Sequence, residues 1–402
     1  MADGEATRKN RGPSPPPRAR VWSWRSQAFR GLVFQVVAVA LIAFGLWYLA
    51  HNTLANMQAR GIQSGFDFMK QPAGFDIGES LISYDALDPY WKAFLVGIAN
   101  TLRVAIVGVI VATLLGAAIG IGRFSRNAIV RGICYAYVEF FRNVPVLIQL
   151  LMWYLLFIDW LPPMLDAASL AGLFYVSKAG FSFPVPVWTH AYALAGIGLL
   201  IGVGAAWAYR GWAMRRFEET GLVRSLLLAP LGIVVAFGVL GWLVGGAPTA
   251  WSIPKPEGFV MEGGASATPE FLAVLLGLVF YTAAFISEVV RAGIASVAHG
   301  QVEAAGSLGL SRTHAMRLVI LPQALRVIIP PLTNQYLNLT KNSSLAVAIG
   351  YPDVVSIANT ALNQTGRAVE CIAIIMLVYL TTSLSTSVVM NWYNRRAAIK
   401  ER

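Results

Sequence analysis

The sequence predicts an all-α, polytopic membrane protein. Of its 402 residues 56% are hydrophobic and only 13% are charged, and about eight apolar stretches recur along the chain. A soluble chain carries about a quarter charged residues, so this apolar surplus calls for lipid as its solvent. Each stretch reaches the roughly twenty residues that a membrane-crossing helix needs. None alternates with the period-two pattern of a transmembrane barrel.

The first thirty residues are basic and proline-rich, with Pro13, Pro15, Pro16 and Pro17 close together. They have almost nothing apolar to bury, so a disordered tail is expected over 1–30. The run at 31–50 is too long for a signal-peptide core and lacks a small-residue cleavage site, which makes it a retained helix. Further spans are expected at 93–121, 133–158, 188–209, 224–246, 271–295, 324–349 and 370–393.

The net charge of +11 would suit nucleic acid, but its placement argues otherwise. Basic residues gather in alternate loops, with Arg123, Arg126 and Arg131 after the second span and Arg210, Arg215, Arg216 and Arg224 after the fourth. The intervening loops are poor in them and carry Asp76, Glu79, Asp85, Asp88, Glu257 and Glu262. By the positive-inside rule both termini are expected in the cytoplasm, and nucleic acid is not expected as a partner. Cys134 and Cys371 fall at opposite ends of their spans, roughly 30 Å apart in depth, so no disulfide is expected. The four histidines make no metal-ligand cluster in the sequence.

Glu303-Ala304-Ala305-Gly306-Ser307-Leu308-Gly309 sits in a cytoplasmic loop of this topology. Helix formers precede Gly309, which suits a C-cap, and Ser311 suits the N-cap of a second short helix over His314–Leu318. Arg312 and Arg317 give the unit a basic side; Leu308, Leu310, Met316 and Leu318 give it an apolar one. Such a knuckle suits docking to a cytoplasmic partner.

The full spacing is Glu-Ala-Ala, three residues, Gly309, nine residues, Val319, one residue, then Leu321-Pro322. It resembles the EAA loop of permeases in ATP-binding-cassette importers, with Val319 where that family usually has isoleucine. AAFISEVVRAG over 283–293, GQVEAAGSLG over 300–309, VILPQA over 319–324 and YVEFFRNVPVLIQL over 137–150 resemble the polar amino-acid permeases in particular. Asn100-Thr101-Leu102 also fits, as does LTKNSSL over 339–345, although the family commonly shows Lys-Asp-Thr-Ser where Lys341-Asn342-Ser343-Ser344 stands. With its enlarged middle the chain is similar to one permease of the general L-amino-acid importers of proteobacteria.

That resemblance implies a type I importer core in two parts, 93–158 and 271–396. Around it lie an extra helix with an outer segment over 31–92, a two-helix insertion over 159–270 and a short cytoplasmic tail at 397–402. It implies a bacterial inner-membrane setting, a second homologous permease, two ATPase subunits, a periplasmic amino-acid-binding protein and surrounding membrane lipid. The coupling residues it implies are Glu303, Ala304, Ala305, Gly309, Leu310 and Arg312. The chain contains no Gly-Lys dipeptide and hence no P-loop. It is thus expected to hold no cofactor and to be no enzyme itself, with ATP and magnesium bound by its ATPase partners.

Polar residues inside spans are costly and mark candidate sites. Asn334, Asn338 and Lys341 recur at helical spacing along one face, followed by Asn342, Ser343 and Ser344. They suit either a path for a zwitterionic substrate or hydrogen bonds between helices. Arg103, well inside its span, suits a substrate carboxylate, snorkelling or a partner on another helix. Glu139 with Arg142 and Glu288 with Arg291 stand at i,i+3 and are expected as ion pairs, structural or gating. The rival to an importer subunit is a self-contained secondary transporter, which would show internal repeats and an intramembrane ion site. No second copy of 137–150 or 300–322 is evident.

Overall fold

The computed structural model describes residues 24, 26–59, 61, 64–221, 224–258 and 260–397. The tails expected over 1–30 and 397–402 therefore lie largely outside the described residues. The chain forms two compact units, Met1–Gly65 and Phe66–Arg402. The first holds one helix, α1 (Gln27–Ala59), whose side chains are exposed along most of its length.

In the second unit the order is α2 (Tyr90–Gly122), α3 (Ala128–Asn143) and α4 (Val146–Trp160), then strands β1 (Ala168–Leu170), β2 (Phe174–Ser177), β3 (Gly180–Phe183) and β4 (Val185–Pro186). The hairpin α5 (His190–Thr220) and α6 (Leu228–Val244) leads to β5 (Trp251–Ser252), β6 (Lys255–Glu257), β7 (Val260–Glu262) and β8 (Ala265–Ala267). The chain finishes with α7 (Pro269–Ala295), α8 (His299–Ser307), α9 (Arg312–Ala315), α10 (Leu321–Asn342), α11 (Val354–Thr365) and α12 (Ala368–Ala397).

Among the described residues six helices are long and apolar enough to cross a membrane, and a seventh span is obtained if the bent pair α3–α4 counts as one. The protein is a multi-pass membrane protein. Each expected span has a counterpart, with two differences. The span expected at 224–246 is the 17-residue α6, which falls short of the usual length. The span expected at 133–158 is two helices bent by 106°. Pro145 has no N–H to continue α3, and it holds Val144 extended. Buried Gln149 then donates to the carbonyls of Phe141 at 3.0 Å and Val144 at 2.8 Å, satisfying acceptors freed at the break.

α7 is the centre of the unit. Its residues Val274, Leu278, Ala283 and Ile286 are buried with Val104 and Ala112 of α2, Leu150 of α4 and Ile328 and Leu339 of α10. On α2 a small residue recurs every fourth position, Gly108, Ala112, Gly116 and Gly120, and this lets two backbones approach. A Cβ at Gly116 would stand 2.8 Å from the Ala283 carbonyl oxygen and 2.7 Å from Ile286 Cβ. Gly116→Val should therefore cost about 1–3 kcal/mol by overpacking, read as a lowered unfolding temperature in detergent. The open Gly132 site, where a Cβ meets nothing, should tolerate alanine.

The segment 159–270, expected as a two-helix insertion, contains strands that the sequence reading did not anticipate. β1, β2, β3 and β8 make one antiparallel sheet, with Phe181 opposite Ala267 and Phe183 opposite Ala265. Pairing β3 with β8 brings both ends of the insertion together, and β8 runs directly into α7. Segment 66–89, expected to accompany the first helix, belongs to the second unit, where Phe68, Ala73 and Tyr90 are buried with Val354, Ile357 and Cys371. Cys134 and Cys371 are free thiols.

Candidate functional site

α8 is a nine-residue helix with only Ala305 buried. It closes as the glycine predicts: Leu310 N–H donates to Ala305 O at 3.1 Å and Gly309 N–H to Gly306 O at 2.9 Å. Gly309 has φ +72°, the left-handed region that glycine enters without a Cβ clash. Ser311 accepts from His314 N–H at 3.4 Å, as an N-cap would. The second short helix expected over His314–Leu318 is not separate, because α9 continues through a π-helical turn, Met316–Ile320, into α10. The unit is thus one mostly exposed helix followed by the start of a span, which Gln323 ties back to Gln301 of α8 at 3.3 Å.

The surface of this unit is open. Glu303 is exposed and lies 2.9 Å from His299 Nδ1, while Leu308 is 80% exposed and Leu318 60%. An exposed leucine beside an exposed carboxylate on a short helix offers a partner both apolar area and a polar anchor. The backbone of Arg312 opens α9, but its side chain lies outside those described.

Asn334, Asn338 and Lys341 share one exposed face of α10, as their spacing predicts. The opposite face, Leu332, Leu339, Thr340 and Ser343, is buried. Ser343 and Ser344 turn back on their own helix, donating to Thr340 O at 2.7 Å and Lys341 O at 2.8 Å, and Asn342 is half-buried. Hydrocarbon would leave the exposed amides and the ammonium unsolvated, so this face requires water or a polar partner. Beside α10 a mostly apolar groove of about 790 Å³ runs between α2 and α12, edged by the hydroxyls of Tyr336, Thr340, Thr382 and Ser385. Sequence reasoning missed it, because its walls come from three distant helices.

Arg103 has a partner. Its guanidinium pairs with the Glu79 carboxylate and lies 3.8 Å above the ring centre of Phe271. Thr268, the N-cap of α7, donates its hydroxyl to the other Glu79 oxygen. Asn100 Nδ2 donates to Glu79 O at 2.8 Å and Pro352 O at 2.9 Å, and Thr101 Oγ accepts from Val354 N–H at 3.1 Å. Four segments thus meet at one polar knot beneath a pocket of about 310 Å³, lined in part by Asp76, Glu79, Glu270 and Thr360.

Close by, fully buried Asp353 caps α11 by accepting from Ser356 N–H at 2.8 Å. Burial pushes its carboxyl up to about 7, against the opposing pull of its backbone hydrogen bonds. A folded carboxyl raised in this way binds more protons than the unfolded chain between pH 4 and 7. Stability should therefore fall as pH rises through that window and level off above it. Asp353→Asn should flatten that slope in a plot of unfolding temperature against pH.

The expected pair Glu139–Arg142 does not form. Arg142 reaches Glu288 on α7 at 3.9 Å, and Glu139 accepts from Asn143 at 3.3 Å. Glu288 does pair with Arg291, and additionally with Arg123. The i,i+3 rule considers one helix alone, whereas the end of α3 lies against α7, which brings Arg142 near a less exposed carboxylate than Glu139.

Residues 108–399 match the model of the family described as "Binding-protein-dependent transport system inner membrane component". The general L-amino acid transport system permease protein AapQ of Rhizobium johnstonii is 43% identical, over 95% of this chain and 96% of its own length. The putative amino-acid ABC transporter permease protein YhdX of Escherichia coli K12 is 43% identical over 94% and 97%. The glutamate/glutamine/aspartate/asparagine transport system permease protein BztB of Rhodobacter capsulatus is 38% identical over 93% and 95%. The match takes in the knuckle, the polar face of α10 and the insertion, and on it the chain belongs to the binding-protein-dependent transport system inner membrane components, among the amino-acid ABC transporter permeases.

Proposed function

We propose that this protein is the transmembrane subunit of an ATP-driven amino-acid importer. It forms the translocation path with a second permease and receives its drive from separate ATPase subunits at α8. The observation that carries this reading is the α8 unit itself: a capped helix, nearly all exposed, ending on an open leucine and joined through the start of α10 to a span. A helix that contributes so little to its own chain's core is built to be held by another. Closure of the ATPases would push α8, and α10 would carry that displacement into the bundle, which rocks between two states.

The path in this reading runs along Asn334, Asn338 and Lys341, with Asn342, Ser343 and Ser344 at its end. An ammonium and amides supply donors for a substrate carboxylate, and amide oxygens supply acceptors for its ammonium. Arg103, held by Glu79 and Phe271, supports the path from behind, and Glu139, Arg142, Glu288 and Arg291 belong to the inner end of the bundle. In this reading α8 and both termini lie in the cytoplasm of a bacterial inner membrane, which the basic loops favour, and a periplasmic binding protein would deliver substrate to the opposite face. ATP and magnesium belong to the ATPase partners.

The test is co-purification from native membrane under mild detergent, followed by transport in liposomes. Retention of a nucleotide-binding subunit and ATP-dependent uptake of an amino acid is the expected outcome. Uptake driven by an ion gradient in the absence of any ATPase would refute the reading.

A further inference from the structure

Three guanidiniums converge on one carboxylate where α2, α3 and α7 meet. Glu288 takes Arg291 on Oε1, with Nε at 3.0 Å, and Arg123 on Oε2. Arg142 stands 3.9 Å from the same Oε2, beyond hydrogen-bond reach. Among the described residues Glu288 is the sole ion-pair partner of all three. Glu139, the nearest acidic residue in sequence, is exposed and engaged with Asn143. The cluster therefore carries two positive charges more than its carboxylate can balance.

The surroundings make that surplus matter. Arg123 caps the end of α2, its side chain is 6% exposed, and its buried Nε has no hydrogen-bond partner. Arg123 lies 4.3 Å over the Tyr135 ring and Arg142 5.4 Å over Phe285, so both cations stand among aromatic faces rather than water. Arg142 and Arg291 are 37% and 35% exposed and give the cluster an open side. Glu288 lies seven residues before the end of α7, about 10 Å along its axis, near the level where a bilayer changes from chains to headgroups. Planar guanidiniums at that depth suit the oxygens of a phosphate.

We propose that Arg142 and Arg291, backed by Arg123, form a binding site for a phosphate group, presented by an anionic phospholipid headgroup seated between α2, α3 and α7. The site needs only a membrane-embedded chain and does not depend on the importer reading.

The test uses the full chain with whatever subunits co-purify, delipidated in mild detergent. Its unfolding temperature is followed while phosphatidylglycerol, phosphatidylcholine of the same acyl chains, or inorganic phosphate is added. Phosphatidylglycerol should raise the midpoint by several degrees at concentrations where phosphatidylcholine does not. That shift should be at least halved in Arg142→Gln/Arg291→Gln and kept in Arg210→Gln/Arg215→Gln on α5. An equal shift from inorganic phosphate would uphold the site and assign its anion to soluble phosphate. Equal responses of the unaltered protein to the two lipids would overturn the proposal even if the variant failed to fold, as would an undiminished shift in a folded Arg142→Gln/Arg291→Gln. The readout needs no ATPase and no transport, so failure here and failure of the importer reading are separable.

Discussion

Replacing Gly309 with valine and Glu303 with alanine is expected to leave the chain folded in the membrane but to separate it from its ATPase, with ATP-dependent uptake falling at least tenfold. Gly309 sits at φ +72°, where an L residue costs about 1–2 kcal/mol and a β-branched one more. The strain falls on the turn that closes α8, because the Leu310 N–H to Ala305 O bond depends on it. With that turn frayed, Leu308 and Glu303 no longer hold a fixed spacing. The core is untouched, since Ala305 alone of the helix is buried. Unfolding temperature should therefore move little while partner retention collapses, and a tenfold loss of affinity corresponds to about 1.4 kcal/mol. Gly309→Asn, which tolerates the left-handed region better, should recover part of the loss. Unchanged ATPase retention in the double variant would remove α8 from the interface.

Glu79→Ala is expected to be the most destabilising single change outside the packing seam. The carboxylate is 7% exposed and Arg103 19%, so the substitution leaves a largely buried guanidinium without its counter-charge. Losing one partner of a buried pair costs about 3–5 kcal/mol, and here the Thr268 hydroxyl also loses its acceptor. Glu79→Gln keeps one carbonyl oxygen for Arg103, while its amide N–H can donate to the Thr268 hydroxyl, so it should cost less than alanine. Glu79→Ala/Arg103→Met removes both charges and should recover much of the loss, a coupling that a double-mutant cycle in unfolding temperature measures. Independent losses that simply add would show that the two residues do not act together.

Composition and periodicity made the helices legible, because an apolar stretch long enough to cross a bilayer announces itself locally. The break within 133–158 was written as Pro145, yet the apolar run continued across it and length alone favoured one span. The strands had no comparable signal. They are two to four residues long, and β3 finds β8 only after the whole α5–α6 hairpin has intervened. At the candidate site the C-cap at Gly309 and the shared face of Asn334, Asn338 and Lys341 could be read, since both are properties of a single helix. The partners of Arg103 and Arg142 could not. Glu79 lies in a loop before the same helix, Glu288 lies on another helix, and nothing local marks either as an acceptor. The i,i+3 spacing of Glu139 and Arg142 pointed to a pair that packing against α7 replaced.

The most direct measurement of the central claim is ATP hydrolysis by the purified complex in liposomes, supplied with its binding protein loaded from a panel of amino acids. Hydrolysis should be stimulated severalfold by some loaded forms, and that stimulation should be lost when the α8 turn is changed at Glu303 and Gly309. Stimulation that survives those changes, or amino-acid uptake that proceeds without any ATPase, would contradict that claim.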